Sequence, residues 1–320
     1  MFRKYSIAAL LAGLAILVGI YFLVNYTSSD DRTFRSQVLD FNPDAVTRIV
    51  VNDAQTGENV EMVLEDGNWV LYSEDRSYNG APEAVANAIA MLSQLKTESV
   101  AATKSDKWAD YQVNDELALH VEMYEGDKMI ADAYLGKFDF KQMPSAQPGR
   151  QPETKVTSYV RAGDDDKVYA VNGLLKSNFQ GGTKPFRNRS VFSCDQPADI
   201  TKVSIDGPAG MVVLENNGGQ WLVNGTAADS TKTDRYLKSI SHLRSSSFED
   251  DANLSGQTPV YNMEIEGSSF SPASIKAYPA DSTVMYYVTS SINPGTVFNG
   301  AKAKVFEKMF VGADAFLPEK

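Results

Sequence analysis

Few side chains in this chain of 320 residues have the types and spacing that chemistry requires. The two histidines are His120 and His242. In His120-Val121-Glu122 an imidazole and a carboxylate stand two residues apart, which on a strand places both on one face. A metal ion would need a third ligand, and none is apparent, so His120 reads as a half-exposed strand histidine. Cys194 is the single cysteine. A thiol nucleophile needs a neighbouring base, and no Cys/His constellation is present, so Cys194 reads as a small buried or linker residue. One cysteine also precludes an intrachain disulfide and disfavours a thiolate zinc site.

Other stretches imitate sites without completing them. Gly181-Gly182-Thr183-Lys184 resembles phosphate-binding sequence but lacks the spaced glycines and the strand–helix frame of a P-loop, so it reads as linker. Asp164-Asp165-Asp166 is acidic enough for calcium, yet consecutive acids do not reproduce the alternating ligands of a calcium loop, and a solvated hairpin turn is the reading. The serines include no Gly-x-Ser-x-Gly elbow and no credible Ser-x-x-Lys. Asp229-Ser230-Thr231 and Asp281-Ser282-Thr283 are similar to short envelope O-glycosylation sequences, and helix N-capping accounts equally well for the first. No catalytic residue, metal ligand or cofactor site is assigned, and the chain is expected not to be an enzyme.

The elements that would position any site are clearer. Val63 to Leu71, through Asp66-Gly67-Asn68-Trp69, is two apolar runs joined by a turn, and Pro82 to Leu95 follows with Val85, Ile89, Leu92 and Leu95 near one helical face. Val213 to Val223, with Trp221, and Lys232 to Leu243 repeat the same programme. Trp69 and Trp221 hold equivalent places and are assigned to structural core. Strands are predicted over Val46–Asn52, Leu117–Tyr124, Met129–Leu135, Ser158–Arg161 and Val168–Val171. They are answered by Ile200–Asp206, Val260–Glu266, Met285–Thr289 and Thr296–Phe298. A unit of this length is a domain duplication rather than a solenoid repeat. Hairpins punctuated by single helices predict two duplicated, mainly antiparallel α+β domains, 45–192 and 193–320.

Ahead of them, Ile7 to Val24 is an uncharged run of 18 residues preceded by Arg3-Lys4, which predicts an N-terminal transmembrane helix within 1–26 and a tether over 27–44. A lipid bilayer is then one partner, with the N-terminus cytoplasmic and the bulk of the chain extracytoplasmic at the inner membrane. The net charge of −11 disfavours nucleic acid as a partner.

One segment breaks the symmetry. Between Gly136 and Tyr159 the first copy carries Phe138, Phe140 and Met143, then a polar proline-bearing stretch, where the second copy has only a short hairpin near Pro279 to Thr283. Two phenylalanines and a methionine within six residues are costly to leave in water, and such residues are enriched at interface cores. Phe138, Phe140 and Met143 are therefore candidates for partner binding. Trp108, which has no counterpart in the second copy, is a fourth candidate, with packing over a helix end as its alternative role.

Several short marks occur in a recognisable order: Gly67-x-Trp69, Tyr111-Gln112-Val113, Leu135-Gly136, Ser158-Tyr159-Val160-Arg161, Val168-Tyr169-Ala170-Val171 and Arg187-Asn188-Arg189-Ser190-Val191-Phe192. In that order they resemble an uncharacterised extracytoplasmic domain family whose members accompany gliding-motility-type ABC transporter components. Gln112 replaces the glycine usual there, and 138–157 is longer than usual. The resemblance implies a non-catalytic, membrane-anchored auxiliary or scaffold subunit that binds ABC transporter membrane subunits or other envelope proteins. The alternative expectation is an extracytoplasmic module binding a ligand or peptide in a cleft between the repeats.

Overall fold

Period-two alternation governs far more of the chain than helical periodicity does. The computed structural model describes residues 35–143 and 152–318, and seventeen strands form within them. The first sheet contains β1 (Arg48–Asp53), β2 (Asn59–Glu65), β3 (Asn68–Ser73), β4 (Arg76–Asn79), β5 (Thr97–Ala102), β6 (Leu119–Glu125), β7 (Lys128–Met143), β8 (Glu153–Ala162) and β9 (Val168–Asn172). Its spatial order is β4-β3-β2-β1-β6-β7-β8-β9-β5. The second contains β10 (Ile200–Gly207), β11 (Gly210–Asn217), β12 (Gln220–Val223), β13 (Thr226–Ala227), β14 (Tyr261–Gly267), β15 (Ala273–Pro279), β16 (Tyr286–Ser290) and β17 (Val297–Asn299). Its order, β13-β12-β11-β10-β14-β15-β16-β17, repeats the first strand for strand, with β5 alone unmatched. The hairpins at the repeated tryptophans have the same two-residue geometry. Asp66 (φ 48°) and Gly67 (φ 82°) turn the first, Gly218 (φ 61°) and Gly219 (φ 95°) the second, as a tight antiparallel hairpin demands.

This architecture corrects the predicted fold class. The protein is β-rich, two large antiparallel sheets with few helices, and not α+β. Among the described residues only α1 (Pro82–Ser93) and α3 (Ser230–Ile240) exceed two turns; α2 (Trp108–Tyr111) and α4 (Val305–Met309) are single turns. Polar strands such as Arg76–Asn79 and Thr97–Ala102 lack the alternation by which strands are read, and uncounted strands inflate the helical share. The transmembrane helix predicted within 1–26 lies outside the described residues. Among those described, no helix is long and apolar enough to cross a membrane.

The chain divides into two compact units: 35–46, 51–57 and 89–180 form one, and 47–50, 58–88 and 181–318 the other. In the first, Val38 and Leu39, at the end of the expected tether, are buried. Their segment straps along the exit of α1: Val38 N–H donates to the Leu95 carbonyl (3.0 Å) and Thr97 N–H to that of Ser36 (3.1 Å). In the second unit Val191 N–H donates to the Leu243 carbonyl (2.8 Å), and Ser245 N–H to that of Arg189 (2.8 Å), beside the exit of α3. Arg189–Phe192, which by sequence closes the first copy, thus opens the second as Ser36–Leu39 opens the first. Its core joins Val191 and Phe192 to inward residues of β10, β11, β14 and β15, the buried face of α3, and Met309 and Phe316.

Candidate functional site

On the first sheet, cross-strand register sets His120 opposite Tyr134 and Tyr134 opposite Arg161. Facing side chains on adjacent strands lie close enough to stack, and these build a column. The His120 and Tyr134 rings are parallel at 4.1 Å, the Arg161 guanidinium lies 3.6 Å from the Tyr134 centroid, and Trp108 from α2 covers its other side at 3.8 Å. Arg161 is buried, and its Nε donates to the Val113 carbonyl (3.1 Å). Burial also pushes the Tyr134 phenol above its ordinary value. His120 Nε2–H donates to Asp132 Oδ1 at 2.7 Å, so its nearest carboxylate is Asp132 across the hairpin and not Glu122 two residues on. A Cβ at Gly163 would overlap the Asp132 carboxylate, so only glycine admits this pair.

Asp132 also walls a cleft of about 840 Å³ between the strap, 35–40, and residues 129–132 and 163–164. The acidic triplet is the exposed turn between β8 and β9 that the sequence suggests, and Asp164 stands on the rim of the cleft. Arg35 donates to both Asp164 oxygens (3.1 and 2.6 Å), and this holds the Asp164 carboxyl below its usual range. The Tyr169 phenol donates to Asp165, and the Asp166 carbonyl accepts from Trp108 Nε1 (2.8 Å). Trp108 is thereby half-buried, tied at both its ring face and its N–H, and placed to hold the column rather than to project from it.

The other three partner candidates gather where β7 outgrows its neighbour. β6 pairs with β7 only as far as Leu135, and a register shift between Leu135 and Phe138 carries β7 on as a two-stranded ribbon with β8. Gly136 lies against the Tyr111 and Gln112 carbonyls with no room for a Cβ, and the Tyr111 and Tyr159 rings, 4.7 Å apart, brace the ribbon's base. Burial raises the Tyr159 phenol to about 12, and it donates to Asp139 Oδ2 at 2.9 Å. Beyond that base residues 138–143 are all exposed. Phe138 and Phe140 share one face with rings 5.3 Å apart at 74°, at 37% and 60% exposure, and Met143 is 44% exposed on the other face.

The second unit holds a cation that sequence reading did not single out. Arg187 is 1% exposed, sandwiched between Tyr78 (4.0 Å) and Phe248 (3.7 Å), with its Nη1 donating to both Asp250 oxygens (2.8 and 2.7 Å). Arg76 donates to the Asp250 carbonyl and to Asp251. Its partners are scattered over 170 residues of sequence, so only the run Arg187-Asn188-Arg189 marked it. Trp69 and Trp221 are each the second residue of their strands, β3 and β12; Trp69 is buried at 9% exposure and Trp221 is half-buried against the core.

The remaining candidates stand apart. Cys194 is buried, which raises its thiol pKa, and His242 is exposed after α3, so the two form no nucleophile–base pair. Asp229 caps α3 by accepting from Lys232 N–H (2.9 Å), and Asp281 caps its own turn by accepting from Thr283 and Val284 N–H. Among the described residues no group of three or more His, Cys, Asp or Glu side chains is placed to hold a metal ion.

Compared with protein families, residues 69–259 match one described as a domain of unknown function (DUF4340), over more than half of the chain. No curated protein and no solved structure matches.

Proposed function

The chain belongs to the DUF4340 family, and from that premise we propose that it is a non-catalytic auxiliary or scaffold subunit. It is held at the inner membrane with its bulk extracytoplasmic, and it serves an ABC transport system of the gliding-motility type. The order of the short marks from Gly67-x-Trp69 to Phe192 supports the transport link, and the uncharged run 7–24 supports the location. The observation that carries the scaffold role is the ribbon of β7 and β8, whose base is braced while Phe138, Phe140 and Met143 remain in solvent. Exposed apolar clusters on a rigid support mark interaction sites. Crosslinking in native membranes followed by mass spectrometry tests it. Transporter subunits should be recovered with the wild-type chain and lost with Phe140→Ser while the far-ultraviolet spectrum is unchanged. Recovery of the same partners with both chains would overturn the ribbon's role.

A second proposal rests on the cleft at Arg35–Asp40, within one unit, which has the size of a small-ligand site. Thermal shift against envelope metabolites discriminates, because saturating ligand raises the midpoint of a binder.

A further inference from the structure

The outer edge of β7 beyond Leu135 is a strand edge with no backbone partner among the described residues. β6 pairs up to Leu135, α2 and Val113 cover Gly136, and from Phe138 onward the inter-strand bonds run only to β8. Free edges are templates for another strand, and proteins ordinarily blunt them with charged side chains, lysine above all, with proline or with a cover. This edge reads Phe138-Asp139-Phe140-Lys141-Gln142, and its two charges are of opposite sign, so they repel a copy of the same edge in some registers and match it in another. Laid antiparallel against itself about Phe140, it sets Phe140 opposite Phe140, Asp139 opposite Lys141 twice, and Phe138 opposite Gln142 twice. Any other register about a neighbouring residue loses this match: centring on Asp139 or Lys141 opposes like charges. Lys141 lacks an acid at its own cross-strand position, where it faces Lys155, which is itself paired with Glu98 (2.7 Å).

We propose that this edge pairs with the same edge of a second copy of the chain, making a two-fold symmetric, four-stranded ribbon centred on Phe140. A two-fold axis normal to the ribbon keeps each side chain on its own face. Phe138 and Phe140 of both copies then form one apolar face, and the Asp139–Lys141 pairs occupy the other. The pairing stands independently of the transport reading, since it concerns the edge, whereas a transporter subunit would take the aromatic face.

The test is register-specific cysteine crosslinking of the full-length chain in native membranes under mild oxidation, with the wild type, whose Cys194 is buried, as the blank. Phe140→Cys should give a disulfide-linked dimer. Gln142→Cys alone should not, because symmetric pairing places the two 142 positions about 13 Å apart, four residues along the strand. Co-expressed Phe138→Cys and Gln142→Cys chains should give the heterodimer. Charge reversal supplies a second measurement that does not touch the phenylalanines: Asp139→Lys or Lys141→Asp alone should lower self-association in sedimentation several-fold, and the double reversal should restore it. Absence of a Phe140→Cys dimer, equal dimer from Gln142→Cys, or failure of the double reversal to restore association would each overturn the pairing. Absence of transporter crosslinks from the wild-type chain with dimerisation intact would count against the transport reading alone.

Discussion

At the residue scale, two buried arginines each lie between aromatic rings, Arg161 between Tyr134 and Trp108, and Arg187 between Tyr78 and Phe248. A guanidinium suits such a place because it is planar and weakly hydrated, and a lysine ammonium is neither. Arg187→Lys should therefore behave as a disruptive change. Removing one member of a buried ion pair leaves the other uncompensated, so Arg187→Met should cost on the order of 3 kcal/mol in urea unfolding. Replacing Asp250 by alanine in the same chain should return part of that loss, since the uncompensated charge is then gone; a double variant no more stable than Arg187→Met would show that the stacking, not the charge, dominates. Gly163→Ala tests the other unit. A methyl there collides with Asp132, so His120 should lose its carboxylate partner, visible by NMR as loss of the hydrogen-bonded Nε2–H resonance in a chain that remains folded.

At the scale of elements, the hairpins at Trp69 and Trp221 were legible because Asp-Gly and Gly-Gly turns, tryptophan and alternation all agree there. Burial was not legible to the same degree. Trp69 closes over the Gly80 backbone, where a Cβ would stand 2.8 Å from its own, whereas Trp221 lies half-exposed at the margin of its core. Trp69→Ala should cost about 3–5 kcal/mol, the range for a buried tryptophan, and Trp221→Ala distinctly less. Chemical denaturation of the two variants measures the order, and equal losses would contradict the burial difference. The aromatic ribbon announced itself by composition, but its geometry came from a bulge at Gly136-Lys137 and from the tyrosine brace, neither of which has a sequence period. The strap carries a pH prediction. Arg35 lowers the Asp164 pKa, so the bond contributes above the ordinary carboxylate value of 3.8 and is lost as pH falls below it. Asp164 is largely exposed, so the contribution is small, and Arg35→Ala should narrow the stability difference between neutral and acid pH only slightly.

At the scale of the whole molecule, duplication was visible in the hairpins and helices, but the start of the second copy was not. Arg189-Ser190-Val191-Phe192 and Ser36-Gln37-Val38-Leu39 share little beyond an apolar pair, and their equivalence appears only in the matched hydrogen bonds to the exits of α3 and α1. A boundary drawn at 193 by sequence therefore cuts inside the second copy's own core. Val191 and Phe192 are fully buried there, and burying such side chains contributes roughly 1.5–3 kcal/mol each. That is a large share of the 5–15 kcal/mol typical of a domain. The bonds from Val191 to Leu243 and from Ser245 to Arg189 would be lost as well. A fragment of residues 188–318 should accordingly fold cooperatively, with a single unfolding transition, because the core it carries is drawn wholly from 191–317. The fragment 193–318 should be expanded or melt at much lower temperature. Circular dichroism melts of the two fragments decide the matter: indistinguishable midpoints would mean that the strap merely lies on the second copy and does not complete it.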